Sequence, residues 1–445
     1  MKKMTRGAVA FAAASAIVLA GCSSSGSDDE STTDPTTDGT TEETTAEAQD
    51  LTMWWMGQED DNTKQLREYL EAEYAEVNGG TLTIEYVGWG DAIAALTTAL
   101  PDAENTPDLT EVGNTQAATF TTVGAFMDIS DMYEELGGDS LLQGFVEAGS
   151  VGDTTYALPY YFGSRFAWYR KDLYEQAGVE VPTTLAEVTE VNAAMKDQGV
   201  GGFYMGGQDW RNGISWIFAN GGDIAEYDGS QWTATLSSPE SIEGMEQWQD
   251  LFQTASVAQV TDTDEVYNAI NDGMLNGAVA STQMAPNWAA CCIGPLTGED
   301  AEGNPAPVWD DTVNGFFALP GVDGGIAPVF AGGSNIAISA QTQNAEGSKE
   351  LMRIIFSDEY QTKLAELGFG PANTEFGDVY AALAPQNEVA LETAAAAKLT
   401  PAAPGWAAIE ADQIMEQYFA AVAAGGDVAA LAAEYDEKIN AKING

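Results

Sequence analysis

A polar segment near the N-terminus limits how much of this chain can fold. Residues 23–50 contain no Val, Ile, Leu, Phe, Tyr, Trp, Lys or Arg and consist almost entirely of Ser, Thr, Gly, Asp, Glu and Ala. Such a segment buries too little apolar surface to offset the entropy that is lost on ordering. The foldable body is therefore residues 51–445, longer than the ~250–300 residues at which a single hydrophobic core stops growing, so we expect two domains.

The residues before this segment resemble the signal of a bacterial lipoprotein. A basic start precedes an apolar run, residues 7–20, and the run closes on Leu19-Ala20-Gly21-Cys22. It is shorter than the ~20 apolar residues that span a bilayer. The resemblance implies a signal peptide over 1–21, acyl chains such as palmitate on Cys22, and a tether over 22–50 at the extracytoplasmic face of the cell membrane. The alternative is a cleaved leader that leaves Cys22 as a free thiol.

The charge balance excludes partners that carry phosphate. The chain has 16 Lys and Arg against 69 Asp and Glu, and removal of residues 1–21 would leave 13 basic side chains and a formal charge of −56. A surface this negative repels nucleic acid and anionic lipid headgroups. We therefore expect no nucleic-acid partner.

The absence of histidine limits the chemistry that the chain can perform. It removes the usual general base of Ser and Cys hydrolases, the commonest zinc ligand and the usual pH switch. Cys291 and Cys292 are adjacent, a spacing that no zinc site uses, and no Asp-rich calcium loop is present. We expect no metal and no cofactor, and only carboxylate catalysis, as in a glycosidase, stays open.

Apolar periodicity predicts alternating strands and helices at the start of the body. Residues 51–56 are apolar, and 81–87 alternate Leu82, Ile84 and Tyr86 with polar neighbours, whereas 62–76 have helical spacing. This is the βαβ pattern of a parallel sheet. Further segments with helical spacing are 92–100, 185–197, 241–254, 264–275, 344–356, 358–367 and most of 409–444.

Several short motifs occur in a fixed order along the body. They are Pro107-Asp108-Leu109, Tyr156-Ala157-Leu158-Pro159, the segments 166–174 and 177–182, Ala219-Asn220-Gly221-Gly222, Asn271-Asp272-Gly273 with Asn287-Trp288, Ala318-Leu319-Pro320-Gly321 and the segment 331–335. Each motif alone is common. Together, in this order and spacing, they resemble the extracellular solute-binding proteins of carbohydrate ABC importers, which are similar in plan to maltodextrin-binding protein.

The resemblance implies an α/β, periplasmic-binding-protein-like fold, with two α/β lobes joined by a multi-crossing hinge and a ligand cleft between them. We expect residues 51–160 plus 282–330 to form lobe I, and 161–281 plus 331–445 to form lobe II. The expected crossings lie near 160–164, 281–283 and 329–332. Gly332-Gly333 fits a site where the backbone approaches a ligand or changes torsion on closure, and an ordinary turn is the alternative.

The resemblance also indicates which side chains hold a ligand. A sugar needs aromatic faces for its C–H surfaces and amides or carboxylates for its hydroxyls. Some of the candidate residues have an alternative structural role. Asp91 could cap a helix N-terminus, and each tryptophan could belong to the core. Arg165 and Arg211 could be counter-ions of carboxylates. The candidate ligand-binding residues are Gln58, Glu59, Trp89, Asp91, Asn114, Gln116, Tyr161, Arg165, Asp209, Trp210, Trp288, Gly333, Ser334 and Trp406.

These observations predict a receptor without enzymatic activity. It would bind a neutral carbohydrate, an oligosaccharide stacked on Trp288, and deliver it as a monomer to the permease subunits of an ABC importer. One alternative is a receptor of the same plan for a peptide or another solute. The other is a glycosidase that uses a carboxylate pair such as Glu59 and Asp91, which would have to lie about 5–9 Å apart.

Cys291 and Cys292 follow Trp288 closely and belong to an oxidising compartment if the signal is correct. A disulfide between these neighbours would place a rigid apolar surface beside the tryptophan. The alternatives are two buried thiols or intermolecular pairing of one of them.

Overall fold

The structure is a computed structural model that describes residues 48–263, 280–287, 289, 293–294, 297–299, 303 and 305–445. Its strands are β1 (Leu51–Met56), β2 (Leu82–Val87), β3 (Leu109–Gly113), β4 (Ser150–Val151), β5 (Thr154–Thr155), β6 (Ala157–Arg170), β7 (Phe203–Tyr204), β8 (Ala225–Tyr227), β9 (Trp232–Ala234), β10 (Thr282–Pro286), β11 (Gly298–Glu299), β12 (Pro305–Ala306), β13 (Asn314–Phe317), β14 (Ala331–Ile338) and β15 (Gly370–Pro371).

Some of the helices begin where a local side chain caps them. Before the first, the Thr63 N–H donates to Asp60 Oδ1 and the Asp60 N–H donates to Thr63 Oγ1, both at 2.8 Å, which is a reciprocal capping box. The helices are α1 (Asp61–Val77), α2 (Ala92–Ala99), α3 (Asn114–Thr122), α4 (Gln143–Ala148), α5 (Lys171–Ala177), α6 (Leu185–Asp197), α7 (Trp210–Ala219), α8 (Pro239–Asp250), α9 (Ala345–Ile355), α10 (Asp358–Glu366), α11 (Gly377–Ala381), α12 (Pro385–Ala395), α13 (Trp406–Ala411), α14 (Ile414–Ala423) and α15 (Val428–Asn440).

The first lobe is built on the strand order β2-β1-β3-β14-β6. β1 pairs in parallel with β2 and β3, which confirms the βαβ pattern, and β14 runs antiparallel between β3 and β6. One sheet face packs on α1, α9 and α10 through a core that includes Trp55, Leu66 and Leu351. Trp54 is only partly buried and donates its indole N–H to Glu85 Oε2 at 3.0 Å. Adjacent strand residues thus point to opposite faces, as expected.

The second lobe uses the other half of the same long strand. Residues 165–170 of β6 pair antiparallel with β10 and β13, and β10 pairs in parallel with β7. The core of this lobe joins α7 and α8 to α13, α14 and α15, with Trp216, Trp248 and Tyr418 at its centre. The helical prediction for 409–444 is confirmed, and the predicted helix 264–275 lies outside the described residues.

The strand pairing differs from the expected division between the lobes. β10 and β13, expected in lobe I, pair with the second-lobe half of β6, so the chain does not cross near 281–283. β14, expected in lobe II, pairs with β3 of the first lobe. The crossings at 160–164 and 329–332 are present. A further crossing runs beside the one at 329–332, where the Lys398 N–H donates to Val329 O at 3.0 Å. Periodicity identifies a strand but does not reveal its partner.

The fold also begins slightly before residue 51. The Tyr74 hydroxyl donates to Gln49 O at 2.8 Å, the Gly347 N–H donates to Gln49 Oε1 at 2.6 Å, and the Thr81 N–H donates to Asp50 Oδ1 at 2.8 Å. The expected tether therefore ends before these two residues. Within the described part of the chain, no helix combines the length and apolar character needed to cross a bilayer.

Gly333 marks the point where β14 passes between the lobes. Its φ is +145°, and a Cβ on it would lie 2.4 Å from the Tyr161 backbone oxygen. Side chains rarely adopt this backbone conformation, and the contact is with backbone that cannot move aside. A Cβ on the neighbouring Gly332 would meet nothing closer than 3.8 Å.

Glu111 lies in the middle of the first-lobe sheet and is fully buried. The Met56 N–H donates to its Oε2 at 3.0 Å, and the hydroxyls of Ser334 and Tyr161 face the carboxyl. Burial raises the pKa of Glu111 to about 7. The three donors lower this pKa, but the effect of burial is larger. One carboxyl thus connects β1, β3, β6 and β14.

Gly333→Ala should destabilise the protein by about 3 kcal/mol, because it adds a steric clash to an unfavourable φ. Gly332→Ala is the matched control, and its free energy of unfolding should stay within about 1 kcal/mol of the unsubstituted protein. Urea denaturation of both variants measures the difference. Equal losses in the two variants would contradict the strain assigned to Gly333.

Glu111→Gln should change the pH dependence of stability. Because burial raises the folded pKa above the ordinary 4.5, the contribution of Glu111 is fully present below about pH 4.5 and is lost as pH rises through 7. That loss amounts to about 3 kcal/mol, and glutamine does not ionise. Urea denaturation should therefore show the variant gaining about 3 kcal/mol on the unsubstituted protein between pH 4.5 and pH 8. A constant difference would exclude a raised pKa.

Candidate functional site

A cavity of about 880 Å³ lies between the lobes, where β6 and β14 cross. Its size suits an organic ligand of several hundred cubic ångströms. Its lining comes from both lobes and consists of Asp60, Asn62, Trp89, Gly113, Asn114, Thr115, Gln116, Tyr161, Phe162, Gly163, Arg165, Arg211, Pro286, Asn287, Phe330, Gly332, Gly333, Leu367, Gly368, Phe369 and Gly370.

The floor of the cavity is formed by the crossing strands. Gly163 of β6 pairs with Gly332 of β14, so no side chain rises from this pair. The Asn287 amide lies beside it, since a Cβ on Gly163 would be 3.8 Å from Asn287 Oδ1. The Asn287 Nδ2 donates to the Tyr380 hydroxyl at 2.6 Å, which fixes the amide at the edge of the floor. The floor therefore presents backbone and amide groups.

The first-lobe wall carries an exposed aromatic ring. Trp89, in the turn after β2, is 43% exposed. Glycines make room for it, because a Cβ on Gly57 would lie 3.4 Å from its Nε1 and one on Gly113 would lie 3.3 Å from its Cζ3. Part of the indole thus faces the cavity, which is the kind of surface that accepts the C–H face of a ring.

Amide side chains continue this wall at the start of α3. Asn114 is buried, and its Nδ2 donates to Ala331 O at 3.0 Å, which ties the helix to the crossing strand. The Gln116 Oε1 is buried and has no hydrogen-bond partner among the described residues. An unpaired buried acceptor costs about 1–3 kcal/mol, so Gln116 is a side chain whose hydrogen bonding is incomplete in this state.

The second-lobe wall carries a guanidinium held by a polar relay. Arg165 Nη1 donates to Asn212 Oδ1 at 2.9 Å, and Asn212 Nδ2 donates to Asp209 Oδ2 at 2.6 Å. The Arg165 guanidinium also lies 5.5 Å from the Phe330 ring centroid. Asp209 therefore orients Arg165 through Asn212 and does not line the cavity itself.

Arg211 lies on the same wall and has a carboxylate partner. Its Nη2 is 3.4 Å from Glu410 Oε1, and its guanidinium lies 4.5 Å from the Trp210 ring. Burial raises the pKa of Glu410, whereas the charge of Arg211 lowers it. This geometry supports the counter-ion alternative for Arg211.

Six of the sequence-predicted ligand residues line the cavity, and seven others do not. Those that line it are Trp89, Asn114, Gln116, Tyr161, Arg165 and Gly333. Those placed elsewhere in the described structure are Gln58, Glu59, Asp91, Asp209, Trp210, Ser334 and Trp406. Trp288 lies outside the described residues, as do Cys22, Cys291 and Cys292.

The tryptophans predicted as second-lobe ligand platforms are instead core residues. Trp210 is 1% exposed and donates its indole N–H to Glu416 Oε1 at 2.9 Å, and its ring meets that of Trp406 edge-on. Trp406 is fully buried. Both belong to the second-lobe core, because α13 and α14 cover the start of α7.

Three polar candidates are occupied or directed elsewhere. Arg67 Nε donates to Glu59 Oε2 at 2.8 Å on the exposed surface. Asp91 is exposed, and although it precedes α2 its carboxylate makes no capping hydrogen bond, so the N-cap alternative is not seen either. The Ser334 hydroxyl faces Glu111 beneath the floor.

Sequence reasoning missed the lining supplied by 367–370 and by Asp60 and Asn287. Leu367-Gly368-Phe369-Gly370 follows a clear helix and contains two glycines, a loop signal that was available. Asp60 also caps α1, and Asn287 precedes Trp288 directly. Within the described residues, no cluster of three or more His, Cys, Asp or Glu is arranged to hold a metal ion.

Two relatives cover most of the chain. The diacetylchitobiose binding protein DasA of Streptomyces coelicolor is 27% identical over 408 residues, which are 89% of this chain and 90% of that protein. The mannitol-binding protein of Pseudomonas aeruginosa is 24% identical over 312 residues, 67% of this chain and 68% of that protein.

Solved structures share the fold. The sugar-binding protein MalE of Xanthomonas citri aligns with a TM-score of 0.73 at 20% identity, covering 88% of this chain and 97% of that one. The cyclic alpha-maltosyl-1,6-maltose binding protein of Arthrobacter globiformis aligns with a TM-score of 0.72 at 16% identity, covering 89% and 99%. At these identities the likeness establishes the fold, which is that of two α/β lobes joined by a multi-crossing hinge.

The family profile described as bacterial extracellular solute-binding protein matches residues 57–362. That span includes the crossing of β6 and β14 and most of the cavity lining. The protein is therefore a member of the bacterial extracellular solute-binding protein family.

Proposed function

We propose that this protein captures a carbohydrate, an oligosaccharide, between its lobes and delivers it to an ABC importer. The observation that carries the proposal is the cavity between the lobes, where the exposed ring of Trp89 faces the same space as Asn114, Gln116 and Asn287. An aromatic face beside amides matches the amphipathic surface of a sugar. The names of the relatives, which bind diacetylchitobiose and mannitol, agree with this ligand class.

Capture would proceed by closure of the lobes around the sugar. Each lobe supplies part of the lining, so a ligand that contacts both favours the closed arrangement. The strands that cross are β6 and β14, and the glycines Gly332 and Gly333 allow torsion changes there at low cost. The proposal involves no covalent step.

Attachment to the membrane rests on the sequence alone. Leu19-Ala20-Gly21-Cys22 and the polar segment that follows it support a lipid on Cys22 and a tether that holds the lobes at the extracytoplasmic face. Two or three acyl chains anchor a protein stably, whereas one does not. We propose that the protein works there as a monomer beside the permease.

The described lining offers no carboxylate pair to a glycosidase. Among the described lining residues Asp60 is the one carboxylate, and neither Glu59 nor Asp91 reaches the cavity. A glycosidase needs two such groups on either side of the scissile bond.

A ligand panel tests the function. Diacetylchitobiose, maltotetraose and mannitol are compared with tri- and tetrapeptides in a thermal melting assay, and the binding sugar is then incubated and analysed for hydrolysis. A sugar at a hundredfold excess over its Kd should stabilise the fold by about 2.7 kcal/mol and stay intact. Stabilisation by peptides alone would favour the peptide receptor, and turnover would favour the enzyme.

Trp89→Ala should weaken sugar binding by about 2 kcal/mol, or about 30-fold, because it removes the exposed ring of the cavity. Tyr227→Ala is the matched control, since Tyr227 is a similarly exposed aromatic residue outside the cavity, and it should leave the affinity unchanged. Isothermal titration calorimetry measures both. Unaltered binding by a folded Trp89→Ala protein would contradict the site.

A further inference from the structure

The buried carboxyl of Glu111 contacts three elements beside the cavity, two of which supply lining residues. Glu111 accepts from the N–H of Met56, and Gly57, which follows, packs under Trp89. Its carboxyl also faces the hydroxyl of Tyr161, a lining residue. The third element is β14, where Ser334 faces Glu111 and its neighbour Gly333 lines the cavity.

Two buried oxygen atoms beside each other leave the hydrogen bonding around Glu111 incomplete. Glu111 Oε1 and Ser334 Oγ are both buried, and neither has a partner of ordinary geometry among the described residues. A proton on the carboxyl would donate to a neighbouring hydroxyl and satisfy the orphaned acceptors. Ionisation would instead draw the hydroxyls of Tyr161 and Ser334 towards the charge.

Among the described residues, no cation opposes the effect of burial on the pKa of Glu111. The titratable side chains that face Glu111 are Tyr160 and Tyr161 of β6 and Tyr360 of α10, and burial raises the pKa of all three, so they are neutral. No Lys or Arg is among the groups that shift the pKa of Glu111. The chain has no histidine, so few other groups titrate near neutral pH.

We infer that Glu111 is a positioning residue whose protonation state sets the arrangement of Tyr161 and Gly333 in the cavity lining, so that capture of a ligand takes up a proton. The coupling to a ligand rests on the proposed function. A sugar that fills the cavity displaces water above Tyr161 and makes the surroundings of the carboxyl less polar. This disfavours the ionised form further, and linkage then requires tighter binding where Glu111 is protonated.

Calorimetry with diacetylchitobiose and maltotetraose tests the coupling. At pH 7, in two buffers of different ionisation enthalpy, the protein should take up a fraction of a proton on binding, and its affinity should fall about 3- to 10-fold from pH 6 to pH 8. Glu111→Gln should bind without proton uptake and with an affinity independent of pH. Glu85→Gln is the control, because it removes an exposed strand carboxylate of the same lobe outside the cavity lining and should leave the uptake intact. Equal uptake by the Glu111→Gln and unsubstituted proteins, or none by either, would overturn the inference.

A second variant and a ligand-free measurement make the result independent of any one mutant or sugar. Tyr161→Phe removes a hydroxyl that favours the ionised form, so the midpoint of the pH dependence should move upward. Without sugar, hydrogen exchange is measured in peptides covering 52–60 and 330–336 and is corrected for intrinsic rates. In the unsubstituted protein the corrected exchange should differ between pH 6 and pH 8. In Glu111→Gln it should be the same at both pH values. If no sugar binds, the receptor proposal fails, and this exchange alone decides. Identical exchange in the two proteins would then overturn the role of Glu111.

Discussion

The hydrogen-bonded ladder along β6 is the interaction on which the two-lobed arrangement depends. Its first half pairs with β14 and β15, and its second half pairs with β10 and β13. One continuous strand therefore belongs to both lobes and links one sheet to the other. The cavity lies along this strand because that is where side chains from both lobes meet.

Local patterns predicted the elements of this fold well. The helix 185–197 has the predicted bounds, and the strand at 82–87 differs by one residue, because each rests on periodicity within a short segment. The lobe assignment of β10, β13 and β14 was wrong, since pairing depends on contacts between distant parts of the chain that no local pattern records. The order of the motifs identified the family, but it did not predict which strands belong to which lobe.

The difference between local patterns and distant contacts also applies to the predicted site residues. Trp89, Asn114 and Gln116 follow strands closely and line the cavity, whereas Gln58 and Glu59, which follow β1 as closely, do not. Trp210 and Trp406 lie on helices, and their exposure depends on which helix covers them. Glu111 gave no signal in the sequence, because a polar residue within a strand is expected to face solvent, and its burial follows from the position of β14 across the sheet.

The placement of β14 has a consequence for how the molecule acquires its structure. This strand is central in the first-lobe sheet, yet it is encoded far from its neighbour, since Asn114 at the end of β3 and Ala331 at the start of β14 are 217 residues apart. Pairings over such separations form slowly, because a long loop must close before any contact rewards it. During synthesis the first lobe lacks this interior strand until about three quarters of the chain has emerged. Until then β3 and β6 each lack a neighbour on the side that β14 later occupies, and such unpaired edges can pair with another chain.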